Sequence, residues 1–474
     1  MKTFREITKN GLLLFLASLL IFSFTYFSTN ILLSNAIVQQ SSNDPFTTQL
    51  TTKSIFDNDT VWENVQKDLS ESVTITNGGN LTIINSHINF TATESGFILE
   101  NESILNIRDS IIEFGDTGIA GTTNGTLILN NATFANFTDD VISLEGDYSI
   151  TVDNSKFLNN QEDGIDIEDI TAPVEVSNTL FENSGKDGIK IDDVTLLVNN
   201  CQFIGQNDEG LQIEGDSPTS IINSVILDNV GNAIKIEEHE GTICICNVTI
   251  QNCQNDGIDI SNSQTDLTIQ EVTVDNSDGT GLEIDDLHSS VTIDDSTFTR
   301  NIIGIDIYNA TTLTMVESVI DDNEEHGLIL STIFVVDIQY SNITNNPYGG
   351  LLAVDLQQSD AHYNRFVGNG IFAINATGLG TGKTFNATHN YWGTLNEEEI
   401  DVLGSVDIDP ILNNNLEEIQ SSTPPTTSTP PSTTETPSES ETSATPYWAA
   451  SLFIGLIFLA TLSNLIVRKK RKEK

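Results

Sequence analysis

The 474-residue chain is poor in positive charge: 19 Lys and Arg stand against 68 Asp and Glu, a formal net charge of −49. Nine of the 19 lie at the two ends (Lys2, Arg5, Lys9 and six after Val467), which leaves ten against 66 acids in between. Binding a phosphate backbone takes clustered Lys and Arg, so nucleic acid is a poor partner. So acidic a surface suits cation binding, a salty medium or solubility, and composition does not choose among them. Methionine is nearly absent, with only Met1 and Met315, and the six His are scattered, which argues against soft-ligand copper delivery. Cysteine is limited to Cys201, Cys244, Cys246 and Cys253. Cys244-x-Cys246 lacks the usual zinc spacing and no His joins it. Arginine between the ends is confined to Arg108, Arg300 and Arg365.

What is abundant is one unit. Asp163-Gly164-Ile165-Asp166-Ile167 returns as Gly188-Ile189-Lys190-Ile191, Gly210-Leu211-Gln212-Ile213, Gly257-Ile258-Asp259-Ile260, Gly281-Leu282-Glu283-Ile284 and Gly304-Ile305-Asp306-Ile307. Looser copies begin at Gly96, Gly118, Val141, Ala233, Gly327, Gly350 and Gly370, at steps of 20 to 24 residues. A fixed period of this size marks a repeat architecture, which grows by stacking. The alternation apolar, variable, apolar is that of a strand. The opening Gly suits positive φ or close backbone approach.

Each repeat holds two further pieces. One is a strand such as Leu127-Ile128-Leu129 or Val291-Thr292-Ile293. The other is an apolar position after a polar corner: Ile88, Ile112, Phe134, Phe157, Phe181, Phe203, Leu227, Ile250, Val274, Phe298, Ile320, Ile343 and Phe366. Three short strands in about 23 residues make a triangular coil, and coils pair in parallel. Phe134, Phe157, Phe181 and Phe203 are expected to stack inside. The polar corner, from Asn85, Asp109, Asn131, Asn154, Asn178 and Asn200 through Ser224 and Asn247 to Glu271, Asp295 and Glu317, is expected to form a partial asparagine ladder. Cys201 lies two coils from Cys244 and Cys246, too far for a bridge. Cys246 with Cys253 is a feasible pair, and thiols filling stack positions are the plainer reading.

This constellation resembles right-handed parallel β-helix proteins, in particular the NosD-like (pectin-lyase-like) surface family. The resemblance spans roughly 73–412 and rests on the Asp-Gly-Ile-x-Ile units, the Asn154-Ser155-Lys156-Phe157 type of corner, and the closing Asn390-Tyr391-Trp392-Gly393 and Val406-Asp407-Ile408-Asp409-Pro410-Ile411-Leu412. It implies an all-β solenoid of about 13 coils over 73–416. Asp59 to Leu69 reads as a short amphipathic helix capping the open end, within a lead over 37–72. Thr394 to Leu403 reads as a second short helix with acids in its first turn.

The ends read as membrane signals. Residues 1–36 form a secretory signal peptide with Ser34-Asn35-Ala36 as the cleavage site, or an N-terminal anchor if that site is ignored. Residues 417–446 are a Ser/Thr/Pro-rich stalk. Residues 447–467 are long and apolar enough to span a bilayer as a helix, and the basic tail 468–474 places them with the tail in the cytoplasm. The β-helix is thereby expected outside a cell membrane. Twelve sequons fall in that region: Asn58, Asn80, Asn89, Asn101, Asn124, Asn131, Asn136, Asn247, Asn309, Asn342, Asn375 and Asn386.

Chemistry is confined to outward positions. In Gly-Ile-x-Ile both Ile face in and x faces out, giving Ile98, Ala120, Ser143, Asp166, Lys190, Gln212, Lys235, Asp259, Glu283, Asp306, Ile329 and Leu352. Asp166 beside Lys190 and Lys235 beside Asp259 are opposite-charge pairs. Asp259, Glu283 and Asp306 are three consecutive acids, which calls for a raised pKa or a cation. They are the catalytic candidates, with Asp285, Asp286, His288 and His326 near in register. The resemblance implies an active site on this face when the protein is a polysaccharide lyase or hydrolase. The Gly-His-Gly unit of the pectin hydrolases is absent. A second acidic stripe, Glu168, Asp169, Asp192, Asp193, Glu214, Glu237, Glu238, Asp285 and Asp286, offers Ca²⁺ candidates in Asp169, Asp192, Asp193, Glu237, Glu238, Asp285 and Asp286. Three functions remain open: a non-enzymatic surface protein binding glycans or neighbouring proteins, an enzyme acting on polysaccharide, and a cation-stabilised structural component of the envelope.

Overall fold

The computed structural model describes residues 54–416. Every paired strand is parallel to the strand one coil away, and the strands fall into three sheets of 16, 16 and 14 strands. The first sheet carries the Gly-Ile-x-Ile strands and runs from Ser54–Phe56 to Val402–Gly404. The second runs from Thr60–Glu63 to Val406–Asp407, and the third from Gln66–Leu69 to Arg365–Val367. Chain order is first, second, third, then first again. That is the expected triangular coil, with about two coils more than the repeat count suggested.

The periodicity explains the packing. Ile165 and Ile167 are fully buried while Asp166 between them is half-buried, and the same holds at Ile258, Asp259 and Ile260. Phe134, Phe157, Phe181 and Phe203 stack as expected, with centroid spacings of 5.7, 4.8 and 4.9 Å. Burying side chains of this size stabilises by roughly 2–3 kcal/mol each. Gly164 does not take positive φ. It is needed for close approach: a Cβ there would lie 2.5 Å from the Gly188 carbonyl oxygen and 2.7 Å from Phe181.

Several expectations are corrected. Residues Asp59 to Leu69 form no capping helix. They are the strands Thr60–Glu63 and Gln66–Leu69 of an added first coil, with left-handed Asn64 turning the corner. Strand edges in the next coil supply backbone partners that outweigh local helix propensity, and Trp62 against Phe56 closes the end of the core. Thr394 to Leu403 contains only a single 3₁₀ turn, Glu397–Glu399, capped by Asn396, followed by the strand Val402–Gly404. The far end is closed by Trp392 stacked on Phe366 and by Ile411 and Leu412. Ile226, not Leu227, fills the third-sheet core column, Asn223, not Ser224, holds the left-handed corner, and Ala373, not Gly370, aligns with Gly350. The disulfide joins Cys244 to Cys246 on the outward side of one strand. Cys201 and Cys253 are buried thiols in stack positions, so the Cys246–Cys253 pair does not form.

The ladder is also more elaborate than expected. At the left-handed corner, amides bond along the surface, as in Asn200 to Asn178 and Asn247 to Asn223. A buried ladder lies elsewhere, in the turn between the third and first sheets. There the backbone N–H groups of Ser277, Asn301, Asn323 and Asn346 donate to the side-chain oxygens of Asn301, Asn323, Asn346 and Asn369.

The leader over 1–36, the stalk over 417–446 and the span over 447–467 lie outside the described residues. Among the described residues no helix is long and apolar enough to cross a membrane.

Candidate functional site

Parallel pairing brings the outward acids into one row. Asp259 pairs in register with Glu283, and Glu283 with Asp306. Burial pushes Asp259 and Asp306 each up to about 6, reinforced at Asp259 by Asp256 and Glu283 and at Asp306 by Glu283 and Asp285. Lys235 opposes the shift at Asp259. Glu283 is also raised by burial and Asp256, against a hydrogen bond with Thr280. The expected pair Asp166–Lys190 forms at 3.8 Å. Lys235 instead bonds Glu237 at 2.9 Å, two positions along its own strand, and acts on Asp259 only through its charge.

The other candidates do not join this row. His288 sits exposed at a left-handed corner. His326 packs against Tyr348 and Phe372, at 5.9 and 5.8 Å between centroids. Asp285 pairs with Ser261 and Tyr308 in the next column. The Ca²⁺ candidates line the corner after the first sheet, where Asp169, Asp193, Glu238 and Asp286 are all left-handed. Their oxygens serve the fold in part: Asp193 Oδ1 accepts from the Asp216 backbone N–H and Asp286 Oδ1 from the Asn309 amide.

Carboxylates meet closely at positions the repeat reading did not weigh. These are the residues just before the opening position, which is Val141 after Asp140 and Gly after Asp163, Asp187, Glu209 and Asp256. Oδ1 of Asp140 accepts from the Asp163 N–H, that of Asp163 from the Asp187 N–H, and that of Asp187 from the Glu209 N–H. Asp163 and Asp187 are 2% and 3% exposed, so their second oxygens sit in a low-dielectric turn. Burial pushes Asp140 up to about 7 and Asp163 up to about 6, each lowered in part by its backbone hydrogen bond. Asp187 is raised by burial and by the charges of Asp163 and Asp208, against its hydrogen bonds with Glu209, and Glu209 is raised by burial, Asp208 and Asp187. Asn232 occupies the same column, and its Oδ1 accepts from the Asp256 N–H. A neutral amide thus makes the bond, and the negative charge at the other positions is surplus to the fold. Ligand-atom groups within 4.8 Å of one another are Asp140 with Asp163 and Asp166, and Asp187 with Asp208 and Glu209. The signal was present in the sequence as the first Asp of Asp-Gly-Ile-x-Ile.

The face is not walled. Beside the acid row it ends on one side at turns of three to five residues (262–266, 286–289 and 309–311), and on the other at a short turn of nearly constant length. Two hollows of the described surface lie away from the acid row, one near the start of the same sheet around Ser70, Glu94 and Ile98, the other near its end around Leu379, Lys383 and Gly404.

No curated protein matches the chain. Among solved structures it is similar to the periplasmic alginate epimerase AlgG, at 10% identity and a TM-score of 0.28, covering 74% of this chain and 76% of that one. A mutant of the same epimerase gives 10% identity, a TM-score of 0.25 and the same coverage. Likeness at that level says nothing of activity. A family model described as the right handed beta helix region matches residues 117–244 and 232–389. The matched segments cover more than half of the chain, and the chain belongs to the right-handed beta-helix family.

Proposed function

We propose that the chain is a membrane-anchored extracellular β-helix without catalytic activity, presenting its first-sheet face to glycans or neighbouring surface proteins. The observation that carries this reading is the open, unwalled face. A ligand lying across Asp259, Glu283 and Asp306 stays in contact with water, whereas acid catalysis on a glycosidic bond gains from a closed, water-excluding cleft. The leader, stalk and span expected from the sequence would supply export, spacing and tether. The test is a glycan array run beside a depolymerisation assay, each with and without Ca²⁺. Retention without product is expected. New reducing ends or unsaturated products that disappear in Asp259→Asn or Asp306→Asn would contradict the reading. They would favour the polysaccharide lyase or hydrolase instead, for which the carboxyls held near pH 6 on either side of Glu283 speak.

A second reading, a cation-stabilised envelope component, is favoured by the two groups of three carboxylates in the turn before the first sheet. Ca²⁺ binding to the folded state alone would raise the thermal midpoint of the full chain. An unchanged midpoint in millimolar Ca²⁺ would remove this reading.

A further inference from the structure

Cys244 and Cys246 lie on the strand Ile243–Cys246 in the middle of the second sheet, paired with Thr219–Ile222 on one side and Leu267–Gln270 on the other. Ile243 and Ile245 face the core, while both cysteines face outward and are half-buried. Their disulfide joins two residues of one strand, with Cα atoms 6.0 Å apart, and ties no coil to another. A loop closed around one residue removes little entropy from the unfolded chain. The frame does without such a bond in the neighbouring coils, where Ser220 and Thr268 stand beside Cys244, and Ile222 and Gln270 beside Cys246. The other two cysteines differ in kind. Cys201 and Cys253 are each 1% exposed, and burial pushes their thiols up to about 11 and about 12. They are inert, and the outward pair is the reducible sulfur of the described residues.

We propose that Cys244–Cys246 is a thiol–disulfide exchange site that oxidises a dithiol, one equivalent per chain. The proposal goes beyond the glycan-binding reading and does not depend on it. A thiolate of the dithiol attacks one sulfur, the S–S bond breaks, and the other cysteine leaves as a thiolate that takes up the proton. The second thiol of the dithiol then attacks the mixed disulfide and expels the first cysteine. The dithiol ends as a disulfide, having passed two electrons and two protons to Cys244 and Cys246, and no further oxidant is needed. The strand selects dithiols over monothiols. Pairing on both sides holds its backbone, so the cysteine freed by the first attack stays within reach of the mixed disulfide. It re-closes the bond at high effective concentration and expels a monothiol, whereas a dithiol brings an equally near competitor. The neighbours in register, Ser220, Ile222, Thr268 and Gln270, carry no charge to repel an approaching thiolate.

The test incubates the folded full chain with dithiothreitol, with a reduced peptide carrying a Cys-x-x-Cys pair, and with the monothiol 2-mercaptoethanol. Alkylation and mass spectrometry then count free thiols at 244 and 246 and the dithiol oxidised. One dithiol should be oxidised per chain, at a rate within about tenfold of that in concentrated urea, because no unfolding is needed to reach the bond. 2-Mercaptoethanol should leave no lasting mixed disulfide at either position. The Cys244→Ser/Cys246→Ser double variant should oxidise no dithiol and keep the native thermal midpoint, since Ser already stands at 220 in the same column. The peptide reacting faster than dithiothreitol would assign the dithiol to a protein segment, and the reverse order to a small molecule. Exchange that occurs only on unfolding, dithiol oxidation that persists in the double variant, or a stable mixed disulfide with 2-mercaptoethanol would each overturn the proposal. So would a double variant whose midpoint falls by several degrees, which would make the bond a fastening of the fold.

Discussion

The turn between the third and first sheets carries side-chain amides in both halves of the solenoid, and a second, acidic column in the early half. In the coils from Asp140 to Glu209, carboxylates at its last position accept the backbone N–H of the next coil. In the coils from Asn301 to Asn369 only the side-chain amides accept backbone N–H groups, as Asn160, Gln206 and Asn229 also do in the early coils, and the last position holds Ile303, His326, Gly349 and Phe372. Both columns satisfy buried donors, which is obligatory. Only the carboxylates introduce negative charge into a turn shielded from water. The frame therefore does not explain the acids, and they are the place to look for chemistry or cation binding.

Four perturbations probe this contrast, best read coil by coil because a solenoid need not unfold as one unit. The frame should be alike in both halves: Phe181→Ala and Phe298→Ala should each cost about 3–5 kcal/mol, equally at pH 5 and pH 8, by urea denaturation. A large difference in pH response between the two would break the comparison. Next, Asn323→Asp places a carboxyl in the amide ladder. It should cost about 3 kcal/mol at pH 8 and much less at pH 4, where the group is neutral. The converse, Asp187→Asn, should stabilise the early coils at pH 8, on the order of 1 kcal/mol. Its sign follows from linkage. Burial raises Asp140, Asp163, Asp187 and Glu209 in the folded state, so that state holds more protons than the unfolded chain. The stabilisation from these groups is full below the ordinary carboxylate pKa near 4. It is lost as pH rises through the folded values, about 6 for Asp163 and about 7 for Asp140. A denaturation midpoint in Asp187→Asn that varies with pH as steeply as the native one would refute the assignment. Smallest is reduction of Cys244–Cys246, which closes a loop around one residue and should shift the thermal midpoint by about 1 °C or less.

The frame was legible in the sequence because each of its parts repeats. Ile165 and Ile167, Phe157 and Phe181, and the outward row Asp259, Glu283 and Asp306 all fall where a 23-residue period puts them. The ends were not, because Asp59 to Leu69 carries helix-like local signals and becomes strand only through the edge beside it. The acid column was missed for a different reason. Asp163 stands next to Gly164, and sequence does not say whether its side chain points to water or back into the turn. That depends on the tight approach of coil to coil that Gly164 permits.

Hydrogen exchange of the full chain at pH 5 and pH 8, corrected for intrinsic rates and resolved by peptide, tests the central contrast most directly. Peptides covering residues 140–214 should lose protection as pH rises, while those covering 335–370, beyond the coils that hold and flank Asp306, keep theirs. Equal loss in both regions, or loss confined to 335–370, would contradict the account.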